Sequence, residues 1–158
     1  MIKNSLIVGY ITRKMMPFVI MFGASVMLHG GSSPGGGFQG GVIIGSAYIL
    51  YAVSLGYGPG RRLAPRGAVE FLKSSGIYIY MISGLVGILG GYTFLANKVA
   101  GIPPIGLPGS FFGGGTLFWI NIGIGITVAS VVVTIFYAFL EYDLPIDSEK
   151  NVSEEGAE

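Results

Sequence analysis

Few side chains in this 158-residue chain could change charge or bind an ion inside an apolar environment. His29 is the only histidine, and imidazole is the side chain that exchanges protons near neutral pH, so it is a candidate for proton entry. Asn121 offers an amide oxygen that could bind sodium or a partner helix. We favour the simpler interpretations, in which His29 bonds the last carbonyls of its helix and Asn121 bonds a neighbouring helix.

The other candidates for chemistry are few. Glu70 lies between Arg66 and Lys73 and is interpreted as part of a solvated charge cluster, while Glu141 follows a long apolar run. Because the chain has no cysteine, disulfides, thiolate metal sites and cysteine nucleophiles are excluded. We expect no metal site, no cofactor and no catalytic residue, so the chain is not expected to be an enzyme by itself. Its net charge of +1 gives no reason to expect a nucleic-acid partner.

The elements that must position these residues are membrane-spanning helices. The chain is 51% hydrophobic and only 11% charged, and a helix needs about 20 apolar residues to cross a bilayer core of about 30 Å. The sequence therefore predicts an all-α membrane domain over residues 15–142, between an interfacial segment (1–14) and an acidic, disordered tail (143–158). Its four predicted transmembrane helices cover residues 15–29, 38–57, 76–96 and 117–140.

The distribution of charge limits both the orientation of the chain and its chemistry. Seven of the nine basic residues precede the first span or lie between the second and third, which predicts that both termini are cytoplasmic. The second, third and fourth spans contain no Asp, Glu, Lys, Arg or His. Because ion and proton relays through a bilayer use such side chains, we do not expect this chain to carry ions across the membrane centre.

Small residues recur at helical spacing in the last three spans. Lipid gives helices no hydrophobic reason to associate, so close packing of small residues must hold them together. The seams could pack the four helices against each other, but we favour contact with other chains for at least one of them. The predicted packing residues are Gly41 and Gly45 in the second span, Ser83, Gly87 and Gly91 in the third, and Gly123 in the fourth.

The stretch HGGSSPGGGFQGG, from His29 to Gly41, separates the first two apolar runs. Glycine is required where a chain takes positive φ or where backbones approach closely, and Pro34 fixes one φ. A tight turn is therefore the preferred interpretation. An anion site at the start of the second helix is disfavoured, because no strand precedes the glycines and no lysine follows them.

This turn resembles the B subunit of Mrp-type multisubunit cation/proton antiporters, and the related modules of membrane-bound hydrogenases and sulfur reductases. Their pattern is approximately G-H-x-x-P-G-G-G-F-x-x-G. Gly31 occupies the usual histidine position, and His29 lies two residues earlier. The residues that match the pattern are Gly30, Pro34, Gly35, Gly36, Gly37, Phe38 and Gly41.

The resemblance implies a subunit of a large membrane assembly that exchanges sodium for protons, located in the cell membrane with other membrane subunits as partners. The alternative it implies is the equivalent subunit in the membrane arm of a hydrogenase or sulfur reductase complex, where neighbouring chains do the redox chemistry. A stand-alone channel would need polar residues lining several helices. The carboxylate-free spans disfavour that third possibility.

Overall fold

The computed structural model describes residues 6–30, 35–96 and 115–143, and in these ranges the chain is helical with no strand. Four of its five helices are long and apolar enough to cross a membrane, which confirms the predicted all-α membrane fold. The exception is the short helix α3. The helices are α1 (Leu6–Leu28), α2 (Gly37–Leu55), α3 (Tyr57–Leu63), α4 (Arg66–Leu89) and α5 (Thr116–Asp143).

The helices do not coincide with the predicted apolar spans. Helix α1 begins at Leu6 rather than Met15, and α4 runs from Arg66 to Leu89 rather than from Gly76 to Ala96. Apolar runs mark the part of a helix suited to lipid, whereas the helix itself can continue into water. The expected end of the third span is wrong for a local reason, since Gly91 takes a φ of +79° beyond the end of α4, a conformation that glycine tolerates.

Six of the basic residues that were expected outside the spans lie on helices instead, two of them, Arg61 and Arg62, on α3. Arg13 and Lys14 are exposed on α1, Arg66 is the first residue of α4, and Lys73 lies two turns further along it. The short helix α3, which the sequence did not predict, occupies much of the expected loop and follows Gly56, whose φ is +94°. Residues 1–5, Pro34 and the acidic tail from 144 lie outside the described residues.

The order of the helices in the bundle differs from their order along the chain. Helix α1 packs on α2, α2 packs on α5, and α5 packs on α4. Helix α5 therefore lies between α2 and α4, although the whole of α4 separates it from α2 in sequence. Many large apolar side chains on the outer faces are exposed, as expected for surfaces that meet lipid or other membrane subunits.

Glycines bring the helix backbones into direct contact. A Cβ atom added at Gly41 would lie 2.6 Å from the carbonyl oxygen of Gly125 on α5, and one at Gly45 would lie 2.8 Å from Cγ1 of Val132. On the other side of α5, a Cβ at Gly123 would lie 2.8 Å from the carbonyl oxygen of Gly76 on α4. The seams of α2 and α5 are therefore used within this chain.

The seam predicted for the third span does not form as expected. A Cβ at Gly87 would lie 2.7 Å from the carbonyl oxygen of Thr93, so this face of α4 is covered by the turn that follows it. Gly91 lies in that turn and is exposed. Ser83 is buried on the same face and donates to the carbonyl oxygen of Ile79, 2.7 Å away in its own helix.

Candidate functional site

Three helices meet at one polar point, the Asn121 junction, which comprises Gly30, Gly36, Gly37 and Asn121. The backbone N–H of Gly37 donates to Oδ1 of Asn121 over 3.1 Å. A Cβ at Gly30 would lie 2.8 Å from Nδ2 of the same amide. Asn121 of α5 therefore contacts both the residues that follow α1 and the first residue of α2.

The junction satisfies the start of α2. The first four N–H groups of a helix lack partners within it, and here Oδ1 of Asn121 accepts from Gly37 while Oε1 of Gln39 accepts from Gly36 over 2.9 Å. An asparagine oxygen from another helix thus takes the place of a local capping side chain. The interhelical bond expected for Asn121 is present.

Close approach rather than positive φ requires glycine at Gly36 and Gly37. Gly36 has a φ of −145° and a ψ of −160°, an extended conformation that any residue can adopt. A Cβ there would lie 3.1 Å from Oδ1 of Asn121, and a Cβ at Gly37 would overlap the backbone oxygen of Asn121. Gly35 is partly buried, and Phe38 is 61% exposed. The aromatic ring therefore faces lipid or another chain.

His29 lies beside the junction, immediately after α1. Its Nδ1 donates to the carbonyl oxygen of Ser25 over 2.8 Å, and its backbone N–H donates to the same oxygen over 3.1 Å. Both bonds satisfy a carbonyl that the end of a helix leaves without an intrahelical partner. The geometry of His29 is that of a helix-ending residue.

The chemistry available at the junction is hydrogen bonding. Hard cations in proteins take several oxygen ligands, and the side-chain oxygen of Asn121 already accepts a backbone N–H. Among the described residues, no group of three or more His, Asp and Glu side chains is placed to hold a metal ion. The residues present connect helices and provide no preformed ligand set.

A second polar cluster lies at the opposite end of α5, and sequence reasoning missed it. Glu141 pairs with Arg61 of α3 over 3.4 Å and with Arg66 of α4 over 2.5 Å. The hydroxyl of Tyr57 donates to the same carboxylate over 3.0 Å, and the guanidinium of Arg61 lies 4.5 Å from the ring centre of Tyr137. These five residues form the Glu141 cluster.

Glu70 is exposed on α4, as expected for a solvated charge. Arg66 pairs with the carboxylate at the end of α5, whereas Glu70 lines the adjacent cavity. The sequence could have indicated the pairing of Glu141 with these arginines. Glu141 is the first carboxylate after the fourth apolar run, so it must lie at the same membrane face as the arginines. The cluster connects α3 and α4 to α5, but exposed ion pairs contribute little energy.

Comparison with known proteins gives a consistent result. Residues 7–134 match the family model described as "Domain related to MnhB subunit of Na+/H+ antiporter". The chain is 31% identical over 138 residues to the Staphylococcus haemolyticus protein named "Putative antiporter subunit mnhB2", covering 86% of this chain and 94% of that protein. It is also 28% identical over 130 residues to an uncharacterized protein of Methanocaldococcus jannaschii, covering 81% of this chain and 49% of that protein.

A solved structure shares the fold. A chain of the membrane-bound sulfane sulfur reductase, an archaeal respiratory membrane complex, superposes with a TM-score of 0.72 at 28% identity, covering 85% of this chain and 57% of that chain. Our chain thus spans only about half the length of two of these relatives. The family match over residues 7–134 confirms the resemblance seen in the turn, and the chain belongs to the MnhB family of antiporter-subunit domains.

Proposed function

We propose that this multi-pass membrane protein is a subunit of an assembly that exchanges sodium or another monovalent cation for protons, and that it scaffolds or seals the assembly. The observation that carries the proposal is the match to the MnhB family over residues 7–134. Two of the similar proteins are named as an antiporter subunit and as part of a respiratory membrane complex. Subunits of both kinds of assembly work beside other membrane chains.

The interior of the bundle supports a role that does not carry ions. The central helix α2 contains no ionisable acidic or basic side chain and no histidine, and α5 contains none before Glu141. The hydroxyls of Thr127, Ser130 and Thr134 each donate to a carbonyl oxygen of their own helix over 2.8 to 3.0 Å. Such hydroxyls stay protonated at neutral pH and form a poor relay. Ion movement is therefore assigned to neighbouring subunits.

The test is flux in reconstituted vesicles. The isolated chain should show no sodium-dependent proton flux, and deletion of the subunit should abolish flux in the complex through misassembly. Asn121→Ala and His29→Ala should reduce turnover only modestly, because both side chains contact backbone groups rather than ions. Robust exchange by the isolated chain would contradict the proposal. So would complete loss of flux in a fully assembled Asn121→Ala complex.

A second candidate is the equivalent subunit of an energy-converting hydrogenase or sulfur reductase complex. The specific observation that favours it is the structural match to the sulfane sulfur reductase chain. Purification in mild detergent separates the two candidates. Partners that contain iron–sulfur clusters or nickel indicate the redox complex, whereas antiporter-like partners alone indicate the antiporter.

We also infer that the protein lies in the cell membrane with both termini in the cytoplasm. Seven of the nine basic residues lie before the middle of α1 or in the α3 and α4 region, and such residues favour the cytoplasmic side. Because the chain has no native cysteine, single cysteines report topology cleanly. A membrane-impermeant thiol reagent should label Tyr92→Cys in whole cells and should label Gly67→Cys only after lysis. The reverse pattern would refute the orientation.

A further inference from the structure

Two arginines lie outside the Glu141 cluster and share a cleft at the same end of the bundle. Arg13 of α1 and Arg62 of α3 line it together with Tyr51 of α2, and the cleft has a volume of about 620 Å³. Among the described residues, neither arginine has a carboxylate within ion-pair distance, whereas Arg61 and Arg66 share Glu141. Both side chains are exposed. Within the part of the chain that the structure describes, the cleft therefore presents two guanidinium groups without a carboxylate partner.

The cleft lies beside an apolar groove, with which it shares Leu63 as a lining residue. Leu63 forms a wall of the cleft and also lines a cavity of about 280 Å³ bordered by α2, α4 and α5. On α2, Tyr51 belongs to the cleft, while Tyr48 and Ile44 belong to the groove. Residues three and four apart share one face of a helix. The cleft and the groove therefore adjoin the same face of α2, the cleft nearer the end of the bundle and the groove nearer its middle.

We propose that this arginine cleft and its groove bind an anionic phospholipid, with the phosphate at Arg13 and Arg62 and an acyl chain along Ile44, Tyr48 and Leu63. Guanidinium groups bind phosphate through paired, charge-assisted hydrogen bonds. Basic pockets between helices at the cytoplasmic face are suited to anionic headgroups. The groove is lined mainly by apolar side chains, which suits hydrocarbon and not a soluble anion.

The position of Arg13 fits this occupant. It lies inside α1, two residues before the predicted apolar span, so its side chain reaches the depth of the headgroups while its helix enters the bilayer. The chain meets lipid wherever it is inserted, so the required partner is present in every membrane. The proposal rests on the membrane location and on the inferred cytoplasmic orientation of this end of the bundle. It stands or falls independently of which ion the assembly exchanges.

The test compares charge at the cleft with charge nearby. The complex, purified in mild detergent, is titrated with phosphatidylglycerol or phosphatidylcholine, and bound lipid is counted by native mass spectrometry alongside the melting temperature. The test variant is Arg13→Gln with Arg62→Gln. The matched control is Lys14→Gln with Lys73→Gln, which removes the same charge from side chains that do not line the cleft. We expect a loss of affinity for phosphatidylglycerol of at least tenfold in the arginine variant only.

The remaining comparisons decide between a lipid and a free phosphate. Glycerol phosphate should not reproduce the stabilisation given by phosphatidylglycerol, because it cannot fill the groove. Ala68→Phe, which narrows the groove at an exposed position, should weaken phosphatidylglycerol binding while leaving both arginines in place. Equal losses in the arginine and lysine variants would show diffuse charge attraction and overturn the site. Full stabilisation by glycerol phosphate would overturn the lipid assignment.

Discussion

Gly37→Ala should destabilise the bundle more than any other methyl-sized change in the turn. Gly37 is the first residue of α2, and its added Cβ would overlap the backbone oxygen of Asn121 and lie 3.0 Å from the Cα atom of Asn121. Backbone cannot rotate away as a side chain can, so α2 and α5 must separate. Separation would also lengthen the 3.1 Å bond between the Gly37 N–H and Oδ1 of Asn121.

The magnitude follows from three contributions. Overpacking of a well-packed contact costs about 1 to 3 kcal/mol, and an interhelical hydrogen bond in a membrane contributes about 0.6 kcal/mol on average. Alanine restores about 0.5 to 1 kcal/mol relative to glycine in a helix. The net loss of stability is about 1 to 3 kcal/mol. For a chain of this size that corresponds to a fall in melting temperature of about 2 to 10 °C.

The assay is thermal stability of the tagged complex in detergent, read by fluorescence-detected size exclusion. Gly67→Ala is the matched control, because an added Cβ on this residue of α4 meets nothing within 4 Å. It should leave the melting temperature unchanged or slightly raised. If the Gly37→Ala complex has the same melting temperature as the wild type, the close-approach argument is refuted.

A double-mutant cycle locates the clash. The Cβ of Gly36→Ala would lie 3.1 Å from the side-chain oxygen of Asn121, so Asn121→Ala should relieve that clash. The clash at Gly37 is with the backbone of Asn121, so the same change should not relieve it. Coupling with Asn121→Ala is therefore expected to be large for Gly36→Ala, and for Gly37→Ala to be limited to the hydrogen bond that both changes weaken. Equal coupling at both positions would contradict the geometry.

Two further predictions concern the other contacts of α5. Glu141→Gln should remove the ion pairs with Arg61 on α3 and Arg66 on α4. Because α3 is then held less firmly, a cysteine placed on α3 should react faster with thiol reagents. Glu70→Gln is the control and should leave that rate unchanged. The melting temperature should fall only slightly, because the pair is partly exposed. Gly76→Leu should separate α4 from α5, because a Cβ there would lie 2.5 Å from the carbonyl oxygen of Gly123. The complex of the Gly76→Leu variant should then assemble poorly. Leu85 is exposed, so the Leu85→Ile variant should assemble normally. Normal assembly of both variants would contradict the packing of α4 on α5.

The existence of the four long helices could be predicted from the sequence, because bilayer thickness fixes the length of an apolar run. Helix α3 could not. Its sequence, YGPGRRL, contains two glycines and a proline, which are poor helix formers. Tertiary contacts support it: a Cβ at Gly60 would lie 2.7 Å from Cβ of Ala52, and Arg61 lies over the ring of Tyr137. Propensity is overridden there by packing that the local sequence does not encode.

The sequence indicated which residues form the candidate site, but not which of them contact each other. The glycine-rich turn and Asn121 both stand out in the sequence, but 84 positions separate Gly37 from Asn121, and small residues on every span allow several helix orders. The sequence also left two reasons open for the glycines, and at Gly36 the close amide matters while φ is not positive. Glu141 was missed as a partner of Arg61 because its contacts depend on where α3 forms.

The contacts of α5 have a consequence for the proposed scaffolding role. Near its start, Asn121 is bonded to α2, and near its end, Glu141 is paired with α3 and α4. Between these points its backbone touches that of α2 at Gly125 and that of α4 at Gly123. A shift of α5 by one helical turn would break all of these contacts together, because glycine seams accept a partner backbone only in one register. In the proposed assembly, we therefore expect the subunit to move as a rigid body.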